Sequence, residues 1–311
     1  MRCRFRTALA FVVLALGIAA PAIAQDANII EHGKDISAAN VGPAAEGFRE
    51  LKSYAGAAIK DGSTYPFARE IAAAATYGGF EVKVPHLLIE GAAFTSALDI
   101  YTSKPVVLRG VSIRPKEHSP VALLTRPGAG AVYVLWSDLG GGGARAVDAA
   151  IAVRADNATI FRSRISGAAD GLSVSGSHVR IFENFIETRP ASAGDHNDAI
   201  QLLGAPRDIE IARNKILNRN PQTSCITILG SRIDVRDNYM SGGGWTIYGG
   251  ANNNGHNPKS RQGGASGVSV TNTIFGREYF AKSGNFGPVS YWDKTNTWTN
   301  NHYREGTLVA P

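Results

Sequence analysis

One eight-residue pattern of apolar and polar positions, apolar-x-apolar-x-x-Asn-x-apolar, recurs through the middle of the chain. It occupies Val179–Ile186, Ile209–Ile216 and Ile233–Met240, and a fourth copy, Ala158–Ile165, has Ser163 in the Asn slot. The slots at 163, 184, 214 and 238 are 21, 30 and 24 residues apart. Alternation over three or four residues is the period of a strand with one face buried. A repeat of this length, built of short strands without a helix-length segment, predicts coils stacked into a solenoid. The Asn falls at a corner, where its side chain can bond the backbone or the Asn of the next coil. The fold expected is all-β: a parallel β-helix with an internal Asn ladder.

Weaker copies extend the pattern. Val106–Ile113 has its slot 52 residues before Ser163, room for two coils, and Val268–Ile274 follows downstream, one residue short. The solenoid is therefore expected from about residue 81 to about 280. Ahead of it, Pro43–Gly78 holds Ala-rich runs at 44–60 and 67–77. An uncovered sheet edge invites pairing with other chains, and these runs predict an N-terminal helical cap over the first coil. Behind it, Tyr291–Tyr303 is rich in aromatics that can seal the last coil or stack on sugars.

Residues 1–24 begin with Arg2, Arg4 and Arg6, continue as an apolar run from Ala8 to Ala20 and end in Ala22-Ile23-Ala24. This is the form of a cleavable signal peptide, so the expected location is secreted or periplasmic. No other run is long enough to span a membrane. The organisation expected is a signal peptide at 1–24, an N-terminal segment with the helical cap at 25–80 and the β-helix at 81–311. Loss of the signal leaves 29 basic and 26 acidic residues, so the net charge falls from +6 to +3. That balance gives little support to a nucleic-acid partner, and the basic residues are not interleaved with aromatics. Cys225 then stands without a second cysteine, so no internal disulfide is available, and a small buried role is expected for it. Neither a phosphate loop nor a zinc spacing is present.

Between two copies of the pattern stands Asp195-His196-Asn197-Asp198-Ala199-Ile200-Gln201, inside the longest of the measured coils. A turn requires one Asp or Asn, and this one carries four polar residues in succession. Aligning Asp170–Val174, Asp198–Leu202 and Ser224–Ile228 sets Asp170 and Asp198 at one corner, one coil apart, and Ser173, Gln201 and Thr227 in an outward column. Close carboxylates push their pKa values apart, which suits acid–base work, and they equally suit a divalent cation. His196 is a candidate base near neutral pH. Thr246 and Tyr248 are expected outward on the following strand. The glycine-rich loop 249–267 offers His256 and Arg261 as a lid or a solvated insertion.

The coil pattern, the segment His196–Gln201, and Phe286-Gly287-Pro288-Val289 followed by Trp292 and Asn296-Thr297-Trp298 resemble secreted right-handed parallel β-helix proteins of the pectate-lyase-like superfamily. More narrowly, they resemble a bacterial group with a His-x-Asp-Gly-Ile-Gln signature. The likeness covers about residues 81–305. Ala169–Ser177 and Asn197–Ile200 are also similar to segments of polygalacturonases. There, however, Asn197 replaces an Asp, Ser224-Cys225 falls where Gly-His-Gly would stand, and no Arg-Ile-Lys follows. The resemblance implies an exported enzyme acting on a polysaccharide, first of all a lyase working by β-elimination on an acidic, uronate-containing polymer. His196 would be the base, and Asp198 with Asp170 the acid or cation ligands. Asp195 and Asp198 would hold Ca²⁺ if one is used, and Gln201, Tyr248, His256, Arg261 and Arg232 would contact substrate. Arg213 and Lys215 flank ladder Asn214 and point to another face. An inverting hydrolase using Asp170 and Asp198, and a non-catalytic polysaccharide-binding or surface-structural β-helix, are the alternatives.

Overall fold

The computed structural model describes residues 31–142, 147–190, 196–251 and 264–311. Three long parallel sheets wind into a right-handed β-helix, the hand that crossover connections between parallel strands adopt. Among the described residues, sheet 1 has ten strands from Lys52–Tyr54 to His302–Tyr303, sheet 2 has nine from Ala57–Ile59 to Gly287–Ser290, and sheet 3 has ten from Ala68–Ile71 to Thr297–Thr299. A representative coil runs from Val179–Phe182 in sheet 3 to Phe185–Glu187 in sheet 1 and Ile200–Leu202 in sheet 2, then returns to sheet 3 at Arg207–Ala212. Equivalent apolar residues stack in register along the axis, as Ile160, Ile181, Ile211, Val235 and Val270 do in sheet 3. All five are buried.

The corner from sheet 3 to sheet 1 carries the expected ladder. The N–H of Ser163 donates to Asn184 Oδ1 at 2.8 Å, that of Asn184 to Asn214 Oδ1 at 2.9 Å, and that of Asn214 to Asn238 Oδ1 at 2.9 Å. Hydroxyls continue it: Ser137 receives the N–H of Val111, and Ser163 that of Ser137. The residue before each slot turns the corner with positive φ: Arg162 45°, Glu183 58°, Arg213 53° and Asp237 57°. The charged side chains of three of these meet, since Glu183 pairs with both Arg162 and Arg213 at 2.8 Å.

The ends differ from expectation at one side and agree at the other. The runs at 44–60 and 67–77 are not a helical cap. Among the described residues helical turns are confined to Gly33–Asp35 and Pro43–Glu46, and the other regular elements of the segment are short strands. Lys52–Tyr54 pairs with Ala92–Phe94 and Ala57–Ile59 with Leu98–Ile100, so this segment is itself a first coil. Alanine's helix propensity is a weak preference, and the ladder offered by an open sheet edge overrides it. The solenoid is closed instead by the antiparallel strand Ala68–Ile71 and by packing of Tyr54, Tyr65 and Phe67 on the core. At the other end Trp292 and Trp298 pack on the core, and the Trp298 indole donates to the Val309 carbonyl at 2.7 Å. Those two seal the last coil. Cys225 is fully buried, and its burial raises the thiol pKa, so it is an inert core residue. Among the described residues no helix is long and apolar enough to cross a membrane. The signal-peptide expectation for 1–24 lies outside the described residues.

Candidate functional site

A second polar column stands at the corner from sheet 1 to sheet 2. The registers Leu172 to Ile200 to Ile226 align Asp170, Asp198 and Ser224 on successive coils, and Ser224 pairs with Trp245. Asp170 Oδ1 accepts the N–H of Asp198 at 2.8 Å, and Asp198 Oδ1 accepts the N–H of Ser224 at 2.8 Å. Gly171 allows this stacking, because a Cβ there would lie 2.4 Å from the Ala199 carbonyl oxygen. The two carboxylates therefore do here what amides do in the Asn ladder.

Asp198 is fully engaged in that work. It is 4% exposed, its Oδ1 also accepts the Ser224 hydroxyl at 2.6 Å, and its Oδ2 accepts Gln201 Nε2 at 3.1 Å. Burial pushes its carboxyl above the usual range, against the pull of the Ser224, Thr227 and Gln201 donors. An acid walled off by the fold and held by donors on both oxygens does not reach a substrate, and its oxygens face N–H and O–H groups where a cation would need open lone pairs. Asp198, expected as catalytic acid or Ca²⁺ ligand, is thus engaged through both oxygens in holding the corner. Asn197 is likewise a corner residue, its carbonyl accepting Asn218 Nδ2 at 2.6 Å. Among the described residues no three His, Cys, Asp or Glu side chains are grouped to hold a metal ion. Asp195, His256 and Arg261 lie outside the described residues.

Asp170 differs from Asp198 in being partly open to solvent. Burial pushes its carboxyl up to about 7, with Asp198 and Asp148 adding to the rise, while the Asp198 N–H and Arg189 pull it down. It is thus poised to give or take a proton near neutral pH. Asp148, one coil earlier and exposed, lies 3.5 Å from the His118 imidazole. Asp148 stands in an otherwise apolar strand, and only the register of Ala149 with Asp170 reveals the neighbourhood. His196 is exposed, and among the described residues no hydrogen bond or ion pair orients its ring.

The expected column is present on sheet 2, where Ser173, Gln201, Thr227 and Tyr248 are successive cross-strand partners, but only Gln201 and Tyr248 are partly exposed, while Ser173 and Thr227 are buried. Three inter-strand steps of about 4.8 Å give it a length of roughly 14 Å. Tyr248 meets Tyr291 edge to face at 5.2 Å, and beside them Trp245 lies 6.0 Å from Phe286, which is 56% exposed. Trp245 and Phe286 form an aromatic end to this face that their sequence context did not announce. Thr246 is not outward: it is fully buried and donates to Ser283 Oγ at 2.8 Å. Arg232 is not on this face either. It belongs to sheet 3 and is closed by Asp208 through two bonds of 2.6 and 2.7 Å. A guanidinium that had escaped notice, Arg154, does lie here, bonded to Ser173 Oγ at 3.1 Å and Ser175 Oγ at 3.4 Å.

No family model matches the chain, and no curated protein matches it. Among solved structures, the Dettilon tailspike protein is similar over 82% of this chain and 52% of its own, with 12% identity and a TM-score of 0.44. The chain thus spans about half the length of that protein, and at this level of likeness the reading of function rests on the geometry of the chain itself.

Proposed function

We propose that the chain binds and cleaves a polysaccharide laid along the outward face of sheet 2, with Asp170 as the proton-transfer group. The observation that carries this is the adjacency of two features: a half-buried carboxyl titrating near 7, and an in-register column of hydroxyl, amide and aromatic side chains running past it. Hydroxyls and amides match the donors and acceptors of sugars, and exposed aromatic faces suit their apolar C–H surfaces.

The chemistry we favour is β-elimination on a uronate-containing polymer, as expected from the pectate-lyase-like resemblance. Ionised Asp170 takes the proton next to the uronate carboxylate, the C–H electron pair becomes a carbon–carbon double bond, and the neighbouring C–O bond breaks. The departing oxygen takes up a proton. Asp170 replaces His196 as base because it is held by its coil and tuned by burial, whereas among the described residues no partner aims the His196 ring. Hydrolysis with protonated Asp170 as the acid is the second reading, favoured by the same raised pKa.

The two separate in one assay. Purified protein is incubated with polygalacturonate and with neutral glucans across pH 5–9, and unsaturated ends are read by ultraviolet absorbance beside reducing ends. β-Elimination gives both signals, with a rate rising as pH passes through about 7 because the base must be ionised. Reducing ends without absorbance, falling as pH rises, would establish hydrolysis. Binding without either product would leave a non-catalytic β-helix.

A further inference from the structure

Among the described residues, several partly buried arginines are closed by acids. Arg109 meets Glu46 and Glu90, Arg114 meets Asp138, Arg213 meets Glu183, and Arg126, just ahead of Arg154 in the stack, is held by both oxygens of Asp99 at 3.0 and 2.7 Å. Arg154 is built otherwise. Its hydrogen bonds go to the hydroxyls of Ser173 and Ser175 and to the Ser173 carbonyl at 3.4 Å, all neutral. Among the described residues no carboxylate faces it. Burial alone acts on its ionisation and lowers its pKa, yet a guanidinium remains charged at any ordinary pH.

A partly desolvated cation without a counter-charge is unfavourable for the free protein. Such an arrangement becomes favourable when an anion arrives and completes it. The guanidinium has five N–H donors in a rigid fork that matches the two oxygens of a carboxylate or sulfate, and the serines engage only part of it. They also fix its plane, so little side-chain freedom remains to be lost on binding. The position suits the role: Ser173, which holds the fork, is the direct neighbour of Gln201 in the sheet 2 column and lies three residues beyond Asp170 on the same strand.

We propose that Arg154 is the specificity-determining residue of the sheet 2 face, receiving an anionic group, carboxylate or sulfate, of the bound polymer. This rests on the reading of that face as a glycan site.

The test is affinity electrophoresis and calorimetry of the full chain with polygalacturonate, dextran sulfate and uncharged dextran, comparing wild type with Arg154→Gln, Arg154→Lys and the control Arg126→Gln. The proposal expects Arg154→Gln to lose about tenfold or more in affinity for the anionic polymer, the size of one charge-assisted pair. Arg154→Lys should recover part of it, because it restores charge without the fork. Arg126→Gln should change little, and thermal melts should show Arg154→Gln folded. Preference for polygalacturonate over dextran sulfate assigns a carboxylate, and the reverse a sulfate. Anion binding that is equal in wild type and Arg154→Gln overturns the role of Arg154 and leaves the glycan site standing. Binding of dextran alone, weakened by Tyr248→Ala, also refutes Arg154 while supporting the site. No binding of any polymer overturns both.

Discussion

Two corners of the same coil do one structural job with different chemistry. At the corner from sheet 3 to sheet 1, Asn184, Asn214 and Asn238 each accept the N–H of the preceding coil. At the corner from sheet 1 to sheet 2, Asp170 and Asp198 each accept the N–H of the following one. An amide does this without any ionisation penalty, whereas a buried carboxyl must either bear desolvation or keep its proton. The use of acids where amides suffice is what sets the second corner apart, and it separates Asp170, which solvent reaches, from Asp198, which it does not.

The largest effect expected is at the neutral corner. Asn214→Ala removes an acceptor for the Asn184 N–H and a donor to the Ile181 carbonyl at 2.8 Å, both fully buried. Each orphaned group costs about 1–3 kcal/mol, so a stability loss of about 3 kcal/mol is expected in denaturant unfolding. Asn214→Asp transplants the chemistry of the second corner and should leave a protein whose melting temperature falls as pH rises above the ordinary Asp range. If melting did not depend on pH in that variant, the contrast between the corners would be lost.

Asp170→Asn keeps the acceptor and removes the titration. Turnover should fall about 100-fold or more, the scale of a lost general acid or base. Stability should move the other way. The folded-state pKa of Asp170, about 7, lies above its ordinary 3.8, so its stabilising contribution is full below about pH 4 and is lost as pH rises to about 7. The variant should therefore match wild type at pH 4 and melt higher at pH 8, by a few kcal/mol at most. Equal melting at both pH values would contradict a raised pKa.

Smaller effects concern the face beyond the corner. Tyr248→Ala or Phe286→Ala should weaken polymer binding by about tenfold, in the range of one aromatic contact, with the pH profile unchanged. His196→Ala should reduce turnover by far less than the roughly 100-fold of a lost base. A loss as large as that of Asp170→Asn would return the base to His196.

The spacing of Asn and apolar positions disclosed the solenoid because each coil repeats the same burial problem, and the two coils counted between Val111 and Ser163 are present, with Ser137 between them. The register of the sheet 2 column followed from strand period alone, but the burial of Ser173 and Thr227 did not. What escaped notice depends on neighbours one coil away: Asp148 lies in the strand Val147–Val153 and Arg154 directly after it, and their surroundings arise from stacking. Asp195–Gln201 drew attention by its density of polar groups, yet Asn197 and Asp198 serve the corner. The Ala-rich N-terminal runs misled because local propensity carries no information about an open sheet edge waiting to be paired.

The central claim is that the second corner holds a carboxyl tuned by burial to neutral pH. It is tested most directly by carbon-13 NMR of the aspartate carboxyls, with Asp170 assigned by comparison with Asp170→Asn. A titration midpoint near 7 is predicted; a midpoint near the ordinary 3.8 would contradict it.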